Sequence, residues 1–582
     1  MKVLAGKMTK VLLMNIPGAV LPSDYPPVAI SRIIEGIDPS LNCEASFYNL
    51  DYYRPDFDEI KKKIQSWSPK IIGFSAMLTP YYSFLKSLSH FIGEEFPDII
   101  QVMGGQMAVI SNIVLSKTKV AFCVIGESEP AFSNLVRRLQ ENKFDIKDTG
   151  KYIDIKGLVF LRNDLPFFTG YEKEDTQNGL RQFNYKIMSK FTSLDNYIHR
   201  VDGQYFKIRI SGSKMEDFLK LLYTHNLSKK LATVFSSKGC VGRCTFCHRY
   251  YKGYRVTEFN ELVNYIEDLK KDYNIGLILF GEENFGGNKK FTSRLVEYLK
   301  TSGLNWAATA VRVKNVDEET IKTWRDAGCI HINFGIESFS QKMLDIMEKN
   351  STVEENLNAI RMCYKYKIFT IPGIVLGMPG ETEETIEETI NNFSTLIPDD
   401  MDFPFENYIN FVQAIPGMPL YGYAKRSGFI GRSIEEEEKY IESLYDVTAN
   451  EIKHYLNFTD YEKEEIAYWW FYIYLELIAA YIKKFGYINV LKHKKTKKYR
   501  AGLIYVVLPR KLRRFLLKYF VLVKDFGVNQ LVHIIIKKVI KIFINRKADR
   551  FKKVNRSLRK INQEIPLSLR EDEVTTAVLR EG

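Results

Sequence analysis

Short apolar runs alternate with amphipathic stretches over most of the chain. Between residues 10 and 140 the runs VLLMNI, IIGFSA, IIQVMGG and AFCVIG have strand length, while KSLSHFIGEEF and FSNLVRRLQ space their apolar positions as helices do. That alternation predicts a parallel α/β sheet. Small residues stand just past the strand ends, at Pro17-Gly18, Ser75, Gly104-Gly105 and Gly126-Glu127-Ser128. Ligands of open α/β sheets bind at those carboxyl ends. Residues 145–230 are polar, turn-rich and irregular, and read as a connection. The βα rhythm returns between about 231 and 425, with LATVFSS, LILFGEE, WAATAVR, IHINFGI and TIPGIVLG as strands. Past Gly428 the pattern becomes helical and aromatic, then basic. The pattern divides the chain at 1–145, 146–230, 231–428 and 429–582.

A length of 582 residues calls for several domains, and 45% hydrophobic against 26% charged residues allows large packed cores. The N-terminal MKVLAGKMTK runs straight into a strand with no secretory apolar core. Of seven cysteines, Cys240, Cys244 and Cys247 cluster, whereas Cys43, Cys123, Cys329 and Cys363 stand singly in apolar runs. A secreted disulfide framework is denser, so a cytoplasmic location and buried lone thiols are expected. The net charge of +13 is local: 25 Lys and Arg face two acids, Asp525 and Asp549, between Lys483 and Lys560. The body of the chain is therefore net acidic.

The chemistry concentrates in Gly239-Cys240-Val241-Gly242-Arg243-Cys244-Thr245-Phe246-Cys247-His248, placed in the loop after a strand. Three thiolates at C-x3-C-x2-C spacing can hold three irons of a 4Fe–4S cluster and leave the fourth for a small ligand. A structural zinc site is the alternative, but it wants a fourth protein ligand at short spacing, and His248 is too close to Cys247 to chelate the same ion.

With Phe246 before the last cysteine, the motif resembles the cluster loop of the radical S-adenosylmethionine (SAM) superfamily. The resemblance implies a partial (β/α)6, TIM-like barrel with chemistry at its C-terminal mouth. It implies a cluster whose open iron binds SAM, and SAM cleavage to a 5′-deoxyadenosyl radical that takes a substrate hydrogen. Four downstream segments fit in order. Glu282-Glu283 resembles the acidic strand end that meets the SAM amino group, with Glu283 favoured and Glu282 left open. Arg312, with Thr309 nearby, resembles the arginine that meets the SAM carboxylate or ribose. Glu337, in Gly335-Ile336-Glu337-Ser338, resembles an acid near SAM, and Gly377 resembles the glycine turn over the adenine. No catalytic residue beyond cluster-bound SAM is identified. The reducing electron is expected from a flavodoxin or ferredoxin.

Residues 1–145 are similar to the Rossmann-like cobalamin-binding domain that precedes the barrel in one radical SAM group. Ser75 and Thr79 are placed toward the dimethylbenzimidazole tail, with Gly104, Gly105, Gly126 and Glu127 at the corrin. The D-x-H-x-x-G motif of other cobalamin domains is absent: Leu88 stands two residues before His90, the domain's one histidine. A histidine-ligated cobalt is not expected. The group's usual reaction is methylation of an unactivated carbon; cyclisation, ring rearrangement or oxidation with the same cofactors is the first alternative. A non-catalytic cofactor sensor or membrane adaptor is the second. The substrate is expected to be a small molecule, lipid or peptide.

In the C-terminal part, Ile466–Ile482 is an apolar-aromatic run broken by Glu476, short for a membrane span and expected as a buried helix on the barrel. Leu512, Phe515, Leu516 and Phe520 then alternate with Arg513, Arg514 and Lys518. Val532, Ile535, Val539, Ile542 and Phe543 alternate with Lys537, Lys538 and Lys541. These predict amphipathic helices that form a packed cap with a solvated basic face, or lie peripherally on an anionic membrane. Nucleic acid is not expected, because no RNA-binding motif accompanies the charge.

Overall fold

The computed structural model describes residues 8–521 except 19–21, 78–80, 173–179, 201–228, 249–252, 404, 406, 445–448, 450, 453–454, 494–500 and 510–511. Thr79 and the pattern Val532–Phe543 lie outside the described residues. The N-terminal sheet contains β1 (Thr9–Asn15), β2 (Cys43–Tyr48), β3 (Ile71–Ser75), β4 (Ile100–Gly104), β5 (Val120–Val124), β6 (Leu158–Arg162) and β7 (Leu165–Phe168). Their order is β2-β1-β3-β4-β5-β6-β7. The first five are parallel, and β6 and β7 add an antiparallel hairpin. Val11–Met14 are almost wholly buried without alternation, as expected for a parallel strand covered on both faces. The order reverses between β1 and β3, which opens a crevice at their carboxyl ends. Register sets Asn15 beside Ser75 and Ser75 beside Gly104 on its rim.

The sheet runs on past residue 145 into the segment expected as a connection. Asn163 and Asp164 both have positive φ (51° and 62°), which a tight two-residue turn between β6 and β7 requires and Asn and Asp tolerate. Further on, β8 (Ile198–Arg200) lies antiparallel on β9 (Lys230–Val234).

A second sheet follows. β9, β12 (Ile275–Phe280), β13 (Asn305–Val311) and β14 (Cys329–Phe334) are parallel neighbours. Parallel bridges His331–Phe369 and Glu337–Ile374 continue it into the parallel pair β15 (Gly373–Leu376) and β16 (Tyr408–Phe411). Six parallel strands thus make an open βα barrel. Its helices start on side-chain caps: Asn288, Asp317, Thr352 and Thr382 each accept a first-turn N–H. Between β9 and β12 a small antiparallel hairpin, β10 (Ser237–Gly239) with β11 (Tyr254–Val256), brackets the cysteine loop.

The expected apolar helix is Lys463–Phe485, buried along Ile466, Trp469, Ile473, Leu477 and Tyr481. It packs on Glu383–Ser394, where Tyr472 Oη donates to Glu387 at 2.8 Å. Glu476 is tolerated in the apolar run because Tyr505 Oη donates to it at 2.8 Å and Arg513 stands 3.9 Å away. The helix Ile434–Ser443 instead meets the N-terminal domain, through Tyr82 to Glu438 and Lys117 to Glu435. Residues 512–521 are helical, and there the expectation of a solvated basic face fails. Arg513, Arg514 and Lys518 turn inward to Glu476, Glu387 and Glu465, because the underlying helices present those acids. Among the described residues no helix is long and apolar enough to cross a membrane. Cys123, Cys329 and Cys363 are buried and Cys43 half-buried.

Candidate functional site

The cysteine loop is stitched to distant parts of the barrel through Thr245, which is wholly buried. Its N–H donates to Met347 at 3.0 Å, its hydroxyl to the Ile346 carbonyl at 3.1 Å, and its carbonyl accepts from Leu420 N–H at 3.0 Å. With Thr245 fixed, the cysteines on either side are held too. Cys244 is buried, Cys240 half-buried and Cys247 exposed. Gly242 N–H donates to Cys240 Sγ at 3.3 Å, and Arg312 Nη1 lies 3.8 Å from Cys244 Sγ. Gly242 admits that arginine, since a Cβ there would stand 2.3 Å from Nη1.

The thiols feel one another. Burial pushes Cys247 up to about 12, and the Cys244 thiol adds to it, opposed by Lys349. Among the described residues no three His, Cys, Asp or Glu side chains converge as a single-ion site requires. A cubane instead takes each thiolate at a separate iron. Three free cysteines on one rigid loop with two cations beside them fit such a cluster.

Lys349 is the member of this site that nothing in the sequence pattern marks. It arrives on a turn in which Glu348 and Asn350 both have positive φ (48° and 53°). Its ammonium is 2.9 Å from Glu337 and lies over the Phe246 ring at 5.8 Å, while its carbonyl accepts from Arg312 Nη2 at 2.6 Å. Burial pulls its pKa down, but Glu337 and Cys244 more than offset this and raise it. Glu337 itself has φ +66°. Two sheet-like bonds hold that strained backbone, from its N–H to Gly373 (3.0 Å) and from Val375 N–H to its carbonyl (2.9 Å). Phe246, Arg312, Glu337 and the cysteines are thus brought together.

The two acids at the end of β12 are placed differently. Glu282 is buried and accepts from the Ser236 hydroxyl, and burial pushes it up to about 7. Glu283 is exposed, yet desolvation raises it as well, partly opposed by the Gly239 N–H and Lys238. Cys247 shows the same pairing of an open surface with a desolvated group. Thr309 donates to the Phe280 carbonyl at 2.9 Å, beside a bulge at Ala310 (φ +53°). The Gly377 turn (φ +88°) is filled from its own side: a Cβ there would strike the Tyr455 ring, whose hydroxyl donates to the Gly377 carbonyl at 2.8 Å.

In the N-terminal domain a small cleft opens at the switch point, lined by Ala29, Ile30, Gly73, Ser75, Gly104 and Gly105 among others. A Cβ at Gly104 would meet open space, while Gly105 (φ +89°) makes the turn against the Ala76 carbonyl. The lining of the cleft, apolar side chains with glycine and serine at the strand ends, is of the chemistry that the heteroaromatic tail of a corrin would meet. His90 lies away from it, its ring on the Lys117 carbonyl at 3.0 Å. Gly126 (φ +86°) faces the Tyr171 ring and lies outside the cleft lining. Glu127 leaves the domain: its carboxylate receives Lys238 at 3.0 and 3.2 Å and Arg255 at 2.9 Å to each oxygen. Those two cations sit on β10 and β11, so the strand-end face of the first domain is tied to the hairpin around the cysteine loop.

A crevice of this kind joined to a barrel with this loop defines a corrin-binding domain working with an iron–sulfur radical domain. Comparison with known proteins agrees. Residues 14–136 match the B12 binding domain and residues 234–393 match the Radical SAM superfamily. The chain thus carries a radical SAM domain and a B12 binding domain together, and the cofactors of such domains are a 4Fe–4S cluster, SAM and cobalamin. An anaerobic magnesium-protoporphyrin IX monomethyl ester cyclase of Cereibacter sphaeroides is 25% identical over 389 residues, covering 64% of this chain and 57% of that protein. The chain thus spans little more than half of that relative. The radical SAM methyltransferase TsrM of Kitasatospora setae, with cobalamin and 4Fe–4S cluster bound, superposes at TM-score 0.57 (17% identity, 73% of this chain and 79% of that one). The cobalamin-dependent radical enzyme OxsB with aqua-cobalamin does so at 0.55 (14% identity, 97% and 80%). These structures share the fold.

Proposed function

We propose that the protein methylates an unactivated carbon of a small-molecule, lipid or peptide substrate. The observation that carries the reading is the Glu127 tie between the crevice domain and the hairpin bracketing the cysteine loop. It supports a reaction that needs both cofactors at one place. When bound, the cluster with SAM supplies a radical that removes a substrate hydrogen, and cobalamin supplies the methyl group. The chain's residues do the holding. Arg312 and Lys349 set positive charge beside the thiolates. Glu283, exposed just past the end of β12, is the carboxylate assigned to an incoming ammonium. Glu282 is buried and committed to Ser236. Hydrogen-atom removal needs no general base, so a His/Asp constellation is not required. An electron donor of the flavodoxin or ferredoxin type completes the reading.

The relatives named as cyclases favour one second reading, ring closure without methyl transfer. The test is anaerobic reconstitution of the full chain, a visible spectrum for bound corrin, and product mass after reduction. Methylation predicts a product with a methyl in place of one hydrogen, a net gain of CH2, with 5′-deoxyadenosine released; a product without that gain refutes it in favour of the second reading. Replacing Cys240, Cys244 and Cys247 with Ala should abolish iron uptake and 5′-deoxyadenosine while corrin binding persists.

A further inference from the structure

Lys349 is 8% exposed, and water screens the charge of a buried group poorly. The turn that delivers this ammonium also carries the cysteine loop. Thr245 is bonded to the Ile346 and Met347 carbonyls, and two residues further on Lys349 N–H donates to the Leu344 carbonyl at 3.0 Å. The positive φ of Glu348 and Asn350 bends the chain on either side of Lys349. Backbone held in that region by its surroundings gathers at functional sites. One short segment thus fixes both the loop and the ammonium. Gly335 leaves room for the ammonium, since a Cβ there would stand 2.5 Å from Nζ, and Glu337 holds it at 2.9 Å. Burial and the Cys244 thiol hold the Cys247 thiol up; against them the Lys349 ammonium weighs more than the Glu337 carboxylate, so the pair turns its positive end to the cysteines.

A 4Fe–4S cluster on Cys240, Cys244 and Cys247 takes up one electron from a donor of the flavodoxin or ferredoxin class. That electron adds one negative charge to a site that three thiolates already make anionic, and no bond or proton moves. Nearby charge is one of the determinants of a cluster's reduction potential, and a fixed cation favours the more negative, reduced form. We propose that Lys349 raises the reduction potential of this cluster, with Glu337 as the counter-charge that keeps the ammonium in place. The inference rests on the cluster reading of the three cysteines and not on the methylation reading. Lys349 acts through space on the cluster, so it is a positioning residue and not a catalytic one.

The test is a redox titration of the full chain reconstituted with iron and sulfide, without SAM, followed by the paramagnetic signal of the reduced cluster. Lys349→Met removes the cation and keeps an unbranched side chain. Its reduced-to-oxidised ratio at a fixed potential should fall at least about tenfold, which is ~59 mV for a one-electron couple. Lys349→Arg should restore the parent midpoint, because it keeps the charge. Glu337→Gln should move the midpoint the other way, since it strips the counter-charge and leaves the ammonium. Shifts of opposite sign are a signature that a merely disturbed loop does not produce. A parent midpoint in K349M at parent iron content overturns the proposal, and so do shifts of the same sign in K349M and E337Q. If K349M takes up no iron, E337Q decides: a higher midpoint supports the proposal and an equal or lower one overturns it. A parent midpoint in K349M together with lost SAM binding in equilibrium dialysis overturns it in favour of a direct SAM contact. Iron and sulfide analysis of the parent separates the two levels, since a parent that assembles no 4Fe–4S cluster refutes the cluster reading itself.

Discussion

Glu127→Gln removes the charge that ties the crevice domain to the cluster hairpin and keeps the side chain's shape. The Glu127 and Lys238 side chains are 14% and 12% exposed and Arg255 is 24% exposed. Removing one partner of a buried pair costs about 3–5 kcal/mol, because the remaining charge is left without compensation. Arg255 regains some hydration, so the expected loss is about 2–4 kcal/mol. The pH dependence supplies a signature. Burial pushes the Glu127 carboxyl up, but Lys238 and Arg255 more than reverse this and hold it below its ordinary 4.5. Its contribution is therefore complete above pH 4.5 and lost as pH falls through the lowered native value. Urea unfolding of parent and variant should differ at neutral pH and converge in acid. Lys238→Met in the variant background should recover part of the loss, since an apolar replacement of a buried pair is close to neutral. Iron content after reconstitution should stay at the parent level while turnover falls, as the cysteines are untouched. A variant within about 0.5 kcal/mol of the parent at neutral pH, with no convergence in acid, would refute the tie.

Two further outcomes follow from the barrel. Gly335→Ala puts a Cβ 2.5 Å from Lys349 Nζ and 2.8 Å from Glu337 Oε1. It should part that pair and cost about 2–4 kcal/mol in urea unfolding of the metal-free chain, and a negligible change would mean that Lys349 finds another partner. Burial pushes Glu381 up to about 8 from its ordinary 4.5, partly opposed by the Gly377 and Met378 N–H groups. The native state then holds the proton more tightly than the unfolded chain, so this residue lowers stability as pH rises from 4.5 toward about 8. Glu381→Gln should gain stability relative to the parent over that range in thermal melts; parallel pH curves would show that Glu381 titrates normally.

Local periodicity determined the strands and helices of both α/β units, because alternation of apolar runs with amphipathic stretches reports which positions are buried. The cluster loop was equally legible, since its three thiols lie within eight residues and need no distant partner to declare themselves. Arg312 and Glu337 were reached through their order along the barrel. Tertiary structure alone decided what meets what. Glu127 finds Lys238 and Arg255 across 111 and 128 residues, and no spacing rule spans that distance. Lys349 enters the site on a turn of ordinary composition. The helix at 512–521 shows the limit most plainly. Its sequence fixes two opposite faces, one apolar and one basic, but either could face the protein. Glu476, buried, and Glu387 and Glu465, half-buried, stand on helices folded elsewhere in the chain; they drew the basic face inward and left the apolar one out, because an uncompensated carboxylate withdrawn from water costs more than an exposed phenylalanine.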